Sequence, residues 1–137
     1  MSALRPTLLL GATLLAACAT SMPKRTADTL QYADYAGAPI ESFHIVNLDG
    51  WQSVGRYQLL VWNGPSEAYL ITVWKSCRNL QFANVVNISS TSREVSRLEQ
   101  VTVDDMKCPI DEIRPVDVAK LRADRRAREE AAPAPAP

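Results

Sequence analysis

Histidine is almost missing from this chain: His44 is the one copy in 137 residues. A general base needs an oriented partner, and spacing places no acid beside His44, so a structural place on a strand is expected for it. Glycine is scarce as well, with five copies. There is no Gly-rich phosphate loop, no dinucleotide fingerprint, no GxSxG and no HExxH. No catalytic residue, no cofactor-binding residue and no metal ligand is therefore expected. Carboxylate pairs of the glycosidase kind are the chemistry that sequence does not address, because it does not set their separation. Glu41, Asp49 and Glu67 are the acids to watch for such a cleft. Asp104 and Asp105 are adjacent, so on a strand they would point apart, and they are expected to close a turn. Surplus charge of one sign is also absent: 15 basic side chains face 15 acidic ones. That removes the electrostatic argument for a nucleic-acid partner. No CxxC pair is present, which argues against catalytic thiol chemistry. The apolar run Leu8 to Leu15 is far short of the roughly 20 residues that span a bilayer.

What the N-terminus does have is an ordered set of signals. Arg5 supplies a positive charge, Leu8 to Leu15 is apolar, and small residues and Cys18 follow. This is the pattern of a secretory signal peptide over residues 1–17, set aside from fold reasoning. Leu15-Ala16-Ala17-Cys18 resembles a bacterial lipobox. The resemblance implies cleavage before Cys18, lipidation of that cysteine and attachment to a membrane. Ala19 stands where lipoproteins retained at the inner membrane carry Asp, so the resemblance implies the outer membrane, facing the periplasm. Residues 18–26, with Pro23, Lys24 and Arg25, read as a tether. About 120 residues then remain, enough for one small domain. Lipidation of Cys18 leaves Cys77 and Cys108, which in an oxidising compartment have one intramolecular pairing. Such a bond would close a loop of about 30 residues and stabilise by roughly 3–4 kcal/mol. Two reduced, buried thiols are the alternative.

The centre of the chain is Tyr57 to Cys77. Leu59-Leu60-Val61-Trp62 and Tyr69 to Trp74 are apolar runs rich in β-branched and aromatic residues. Asn63-Gly64-Pro65-Ser66-Glu67 between them is turn chemistry. The expectation is a hairpin covered on both faces, with Asn63 opposite Ala68, Trp62 opposite Tyr69 and Leu60 opposite Ile71. Trp62, Trp74 and Tyr69 are expected in the core, the alternative being an aromatic platform for a ligand.

Around this hairpin the other elements are shorter. Ala27 to Ala36 suits a short helix stopped by Gly37 and Pro39. Ser42 to Leu48 is a strand candidate, and Asp49-Gly50 a turn. Trp51 is expected to fold back on the sheet as a cap; surface recognition is its other role. Arg78 to Ala83 suits a turn or single helical turn, and Val85 to Ile88 a strand. Ser89, Ser90, Thr91 and Ser92 form a polar loop with freedom to carry function. Val95 to Val103 alternates, with Leu98, Val101 and Val103 inward. Cys108 to Arg114 is a last strand, and Pro115 opens a helix with Asp117 in its first turn and Val118 and Leu121 docked. Residues 123–137 are a charged helix end and an Ala/Pro tail. Lys120 to Arg128 carries five basic residues, solvated or turned to anionic lipid or cell wall.

Tyr35-Ala36-Gly37-Ala38-Pro39, Asp49-Gly50-Trp51, Leu60-Val61-Trp62, Ala68-Tyr69-Leu70, Cys77 with Asn79-Leu80, Ser89-Ser90-Thr91, Cys108-Pro109-Ile110 and Ile113-Arg114-Pro115-Val116-Asp117 form a composite. It resembles a family of short lipoproteins of unknown function from Gram-negative bacteria, over about Leu30 to Leu121. The resemblance implies no activity, so no functional residue comes with it. The expected fold is an all-β core over residues 27–122: five to six short antiparallel strands, as a curved sheet or small partly closed barrel. A short N-terminal and a C-terminal helix flank it. The expected function is a non-catalytic outer-membrane lipoprotein whose domain binds or positions an envelope component, protein or cell wall. Trp51 and Ser89 to Ser92 are its expected surface. A small-ligand or lipid-binding barrel and an enzyme with an acidic site are the alternatives.

Overall fold

The computed structural model describes residues 30–136. Cys18, the signal segment and the tether lie outside the described residues. A 3-10 helix, Tyr32–Tyr35, comes first. Eight strands follow: β1 Ser42–His44, β2 Leu48–Ser53, β3 Gln58–Asn63, β4 Ala68–Val73, β5 Val86–Ile88, β6 Glu94–Ser96, β7 Gln100–Val103 and β8 Met106–Pro115. A second 3-10 helix, Leu80–Phe82, lies between β4 and β5, and α1, Val118–Ala131, ends the order. Six strands form one antiparallel sheet in the order β2-β3-β4-β8-β7-β5, nearly closed like a barrel, and β1 pairs with β6 as a separate ribbon.

The two apolar runs at the centre do form β3 and β4, and both of their faces are buried. Alternation along each strand sends Leu59, Val61, Ile71 and Val73 into the barrel, with Phe43, Val95, Val101, Cys108 and Ile113. It sends Leu60, Ala68 and Leu70 to the other face, where Tyr35, Val116, Val118 and Leu121 cover them. The observed register pairs Trp62 with Ala68, Val61 with Tyr69, Leu60 with Leu70 and Leu59 with Ile71. This is one residue away from the expected register. Hydrophobic pattern selects a register when one face is polar; here both faces are apolar, so the pattern was silent. The choice is made at the turn, where the Asn63 N–H donates to the Glu67 carbonyl at 3.0 Å and Gly64 takes a φ of 85°.

Two bulges shape the barrel. Asp49-Gly50 is no turn between strands: it lies inside β2, where Leu48 pairs with Asn63 and Gly50 with Trp62, leaving Asp49 as the extra residue. A bulge turns the strand without ending it, and the Asn47 side chain bonded to Asp49 occupies its acid. In β8, Glu112 pairs with Thr72 and Ile110 with Val73, which leaves Asp111 extra. That one residue resets the alternation, so Ile110 and Ile113 both face the barrel core although they are three apart.

Other expectations shift more locally. The described part of the expected N-terminal helix contracts to one 3-10 turn, with no side-chain cap at Gln31. Gly37 lies against Pro115: its N–H donates to the Pro115 carbonyl at 2.7 Å, and a Cβ there would meet the proline ring at 3.3 Å. The stretch Val95 to Val103 breaks into β6 and β7, and Leu98 in the break is 93% exposed instead of inward. Helix α1 begins after Asp117, whose carboxylate caps it by accepting from the Lys120 N–H at 2.9 Å. It continues through the charged stretch to Ala131.

Cys77 and Cys108 are both buried, with sulfurs at bonding distance and Cα atoms 5.3 Å apart. Cys77 follows β4, and Cys108 lies in β8, so the pair ties the long 74–85 connection to the sheet. The bond spans 31 residues of sequence, and the chain-entropy relation gives about 3–4 kcal/mol for a loop of that size. Urea unfolding of a Cys77→Ser/Cys108→Ser double variant against the oxidised chain is expected to show a loss of that order. Equal midpoints for the two proteins would mean that the pair contributes nothing.

Candidate functional site

The residues singled out in the sequence do not converge. Trp62 lies under α1, with the Arg122 guanidinium 5.8 Å from its ring. Tyr69 faces the barrel interior, stacked on Phe43 with centroids 3.9 Å apart and planes 13° from parallel. Trp74, expected in the core, is instead 55% exposed, because β4 ends one residue before it at Val73. Three aromatics thus meet three surroundings, and they form no shared platform. Burial, then the nearby Glu67 carboxylate, pushes the Tyr69 hydroxyl above its ordinary value.

The acids are separated as well. Glu41 pairs with Arg97 at 3.6 Å across the β1–β6 ribbon, Asp49 holds Asn47, and Glu67 accepts from the Asn63 amide at 3.0 Å. Asp104 and Asp105 do form the β7–β8 turn, Asp104 with a φ of 52°. His44 is exposed on β1, opposite Glu94. No group of three or more His, Cys, Asp or Glu side chains among the described residues is placed to hold a metal ion.

Trp51 is a strand residue of β2, opposite Val61, half-buried against the barrel core. Ser89 to Ser92 is more constrained than a free loop. Thr91 and Glu94 exchange both backbone hydrogen bonds, at 3.0 and 2.9 Å, around Ser92 and Arg93, which have φ of 53° and 64°. Two successive positive φ values make the tight turn that matches strand twist, here without glycine. The Ser89 hydroxyl donates to Glu99, and the Thr91 hydroxyl donates to Glu99 Oε1 at 2.6 Å. The Gln100 N–H in turn donates to Ser89 Oγ at 2.9 Å. Two of the four residues of this loop therefore spend their hydroxyls on Glu99. Trp51 and this turn lie at different edges of the six-stranded sheet, β2 and β5.

A groove that sequence reasoning missed runs between α1 and the end of β2. It encloses about 720 Å³ and is lined by Leu30, Tyr32, Gln52, Val54, Arg125 and Arg128 among others. Arg125 donates to the Tyr32 hydroxyl at 3.3 Å, and that hydroxyl reaches Gln52 Oε1 at 3.5 Å. Beyond Leu121 the helix has no apolar face, so polar and aromatic contacts hold it in place. Tyr35 donates to Asp124 at 2.8 Å, Lys120 lies 4.5 Å from the Tyr35 ring centre, and Arg122 donates to the Pro65 carbonyl. The Tyr35 bond holds the Asp124 carboxyl below its ordinary value, while burial, then Asp124, raises Tyr35. Basic residues expected in solvent thus brace the groove wall. An arginine spaced to meet a ring from another element gives no periodic signal in sequence.

Sequence reasoning also missed the role of the Asn63 side chain. It is 2% exposed, the one buried polar side chain among the described residues. Its Oδ1 accepts from the Val46 and Asn47 N–H groups at 2.8 and 3.3 Å, and its Nδ2 donates to the His44 carbonyl and Glu67 Oε2, both at 3.0 Å. Every hydrogen-bonding position of the amide is used. In sequence an Asn before Gly is a turn former, and nothing there announces that its side chain ties down the β1–β2 connection.

A family model described as a family of unknown function (DUF6491) matches residues 1–132, and the chain belongs to that family. No curated protein and no solved structure matches it.

Truncating Asn63→Ala leaves buried backbone groups unpaired, so a loss of about 2–4 kcal/mol is expected from urea unfolding. A variant within a few tenths of a kcal/mol of the parent would show that water replaces the amide. Glu99 supplies a pH test. Hydrogen bonds from Ser89 and Thr91 hold its carboxyl below the ordinary value of 4.5. Stability from this group is full above that value and drains away as pH falls through the lower folded value. Carbon NMR titration should find the Glu99 midpoint below that of an unfolded-peptide Glu, and S89A/T91A should return it. An unchanged midpoint in the double variant would sink this assignment.

Proposed function

We propose that this DUF6491 member is a non-catalytic lipoprotein, anchored through Cys18 in the outer membrane and facing the periplasm, that binds or positions an envelope component. The observation that carries the reading is the order Arg5, Leu8 to Leu15, two alanines and Cys18. A second feature agrees with it. Leu30 lies in the groove beside α1, and the eleven residues between it and Cys18 span at most about 40 Å when extended. The domain would therefore stay close to the membrane that anchors it. The Ser89 and Thr91 hydroxyls and the Glu41, Asp49, Glu67 and Asp117 carboxylates are committed to turns, a cap and local pairing, which favours a binding role over catalysis. The groove, with an apolar wall from Leu30 and Val54 and donors from Arg125 and Gln52, is the surface we assign to the component. A partner bearing acceptors or carboxylates would suit it.

Labelling with palmitate in a Gram-negative host tests the anchor. The parent chain is expected to take up label and fractionate with outer membranes, and Cys18→Ser to take up none. An unlabelled, soluble parent chain would reject the reading. A photo-crosslinker at Gln52 in the same cells should then capture a recurrent envelope component, lost on Arg125→Glu.

A further inference from the structure

One end of the barrel leaves large apolar side chains in water. It is built by the 54–57, 74–85 and 104–105 connections, where β2, β4 and β7 finish and β3, β5 and β8 begin. Trp74 is 55% exposed there, Phe82 70%, Val85 54% and Met106 40%. Val46, Leu48 and Leu98 are exposed at the opposite end, but the two rings lie here, and exposed apolar patches with polar rims mark interaction surfaces. Four cations, Arg56, Lys75, Arg78 and Lys107, are exposed on or beside the same connections. None of them makes an ion pair with another described residue. Of the two acids there, Asp104 is turned toward the Val85 N–H at 3.4 Å. Two depressions, of about 320 and 360 Å³, meet at Arg78 and Asn79 and join the Phe82 side to the Met106 side.

Exposed rings and a methionine stand here beside long cationic side chains. They match a lipid–water boundary, where the apolar groups enter the acyl region and the cations stay at the phosphates. The path of the chain agrees. Leu30 shares the groove with Val54, two residues before Arg56, so the chain enters the described domain at this same end.

We infer that the end carrying Trp74, Phe82, Val85 and Met106 docks on a bilayer surface containing anionic phospholipid. The docking rests on the proposed anchor for its local concentration, and on these side chains for its contacts. It holds the barrel end-on to the membrane and turns the Ser89 to Ser92 end away from it.

The test uses the full chain with vesicles of phosphatidylglycerol and phosphatidylethanolamine brominated on their acyl chains. Bromine quenches only a tryptophan that reaches the acyl region, and Trp74→Phe supplies the spectrum without Trp74. The parent chain should lose Trp74 emission, less so at high salt and not with phosphatidylethanolamine alone. Arg78→Glu should weaken the quenching about fivefold for each charge removed, and Phe82→Ser/Arg78→Glu should abolish it. These exposed sites should leave the urea midpoint unchanged, which separates lost docking from lost folding. Equal quenching of parent and Trp74→Phe, or equal quenching without anionic lipid, overturns the inference. The anchor and the docking fail separately. A palmitate-labelled chain with unquenched Trp74 keeps the anchor and rejects docking; a quenched Trp74 on an unlabelled chain does the reverse.

Discussion

Two apolar faces on one hairpin set the problem that the rest of this structure solves. β3 and β4 bury Leu59, Val61 and Ile71 on one side and Leu60 and Leu70 on the other, each at 2% exposure or less. A sheet that is wet on one side cannot do this. One face is covered by curling the sheet until β7 and β8 lie across it, with Leu80 filling the end. The other is covered by the first 3-10 helix and by α1. The Cys77–Cys108 link belongs to the first solution, and the Tyr35–Asp124 and Arg122–Trp62 contacts belong to the second.

The second solution is economical in apolar surface. Helix α1 contributes just two fully docked apolar residues, Val118 and Leu121, and then runs on for ten charged or small residues. What positions that second half is a set of rings from other elements: Tyr32, Tyr35 and Trp62. A cation over a ring is worth less than a buried leucine, but it keeps the surface polar. The groove between α1 and β2 exists because of this choice. A tightly packed apolar helix would have closed it.

Turns carry the remaining specificity. Asn63 joins β3 to the β1–β2 connection with three side-chain hydrogen bonds, and its bonds to Glu67 close the turn that fixes a register the side-chain pattern leaves open. Glu99 gathers the hydroxyls of Ser89 and Thr91, so a loop that looked free by composition is held. Bulges at Asp49 and Asp111 bend the sheet without ending a strand. Asn63 and Asp49, both read locally as turn formers, thus act within the sheet itself.

The antiparallel β class, the central hairpin with its two covered faces, and the docking of Val118 and Leu121 were legible in the residues alone. Those follow from side-chain periodicity and turn chemistry, which are local. Cys77 and Cys108 were legible there too as the pair to be joined. The register of β3 on β4, the strand order, the bulges and the dispersal of Trp62, Tyr69 and Trp74 emerged in the folded chain. Alternation tells a residue which of two faces it takes, but when both faces are dry it no longer says which neighbour it meets. That choice passes to polar contacts such as those of Asn63, and to one extra residue in a strand, whose effects appear only once the chain has folded back on itself.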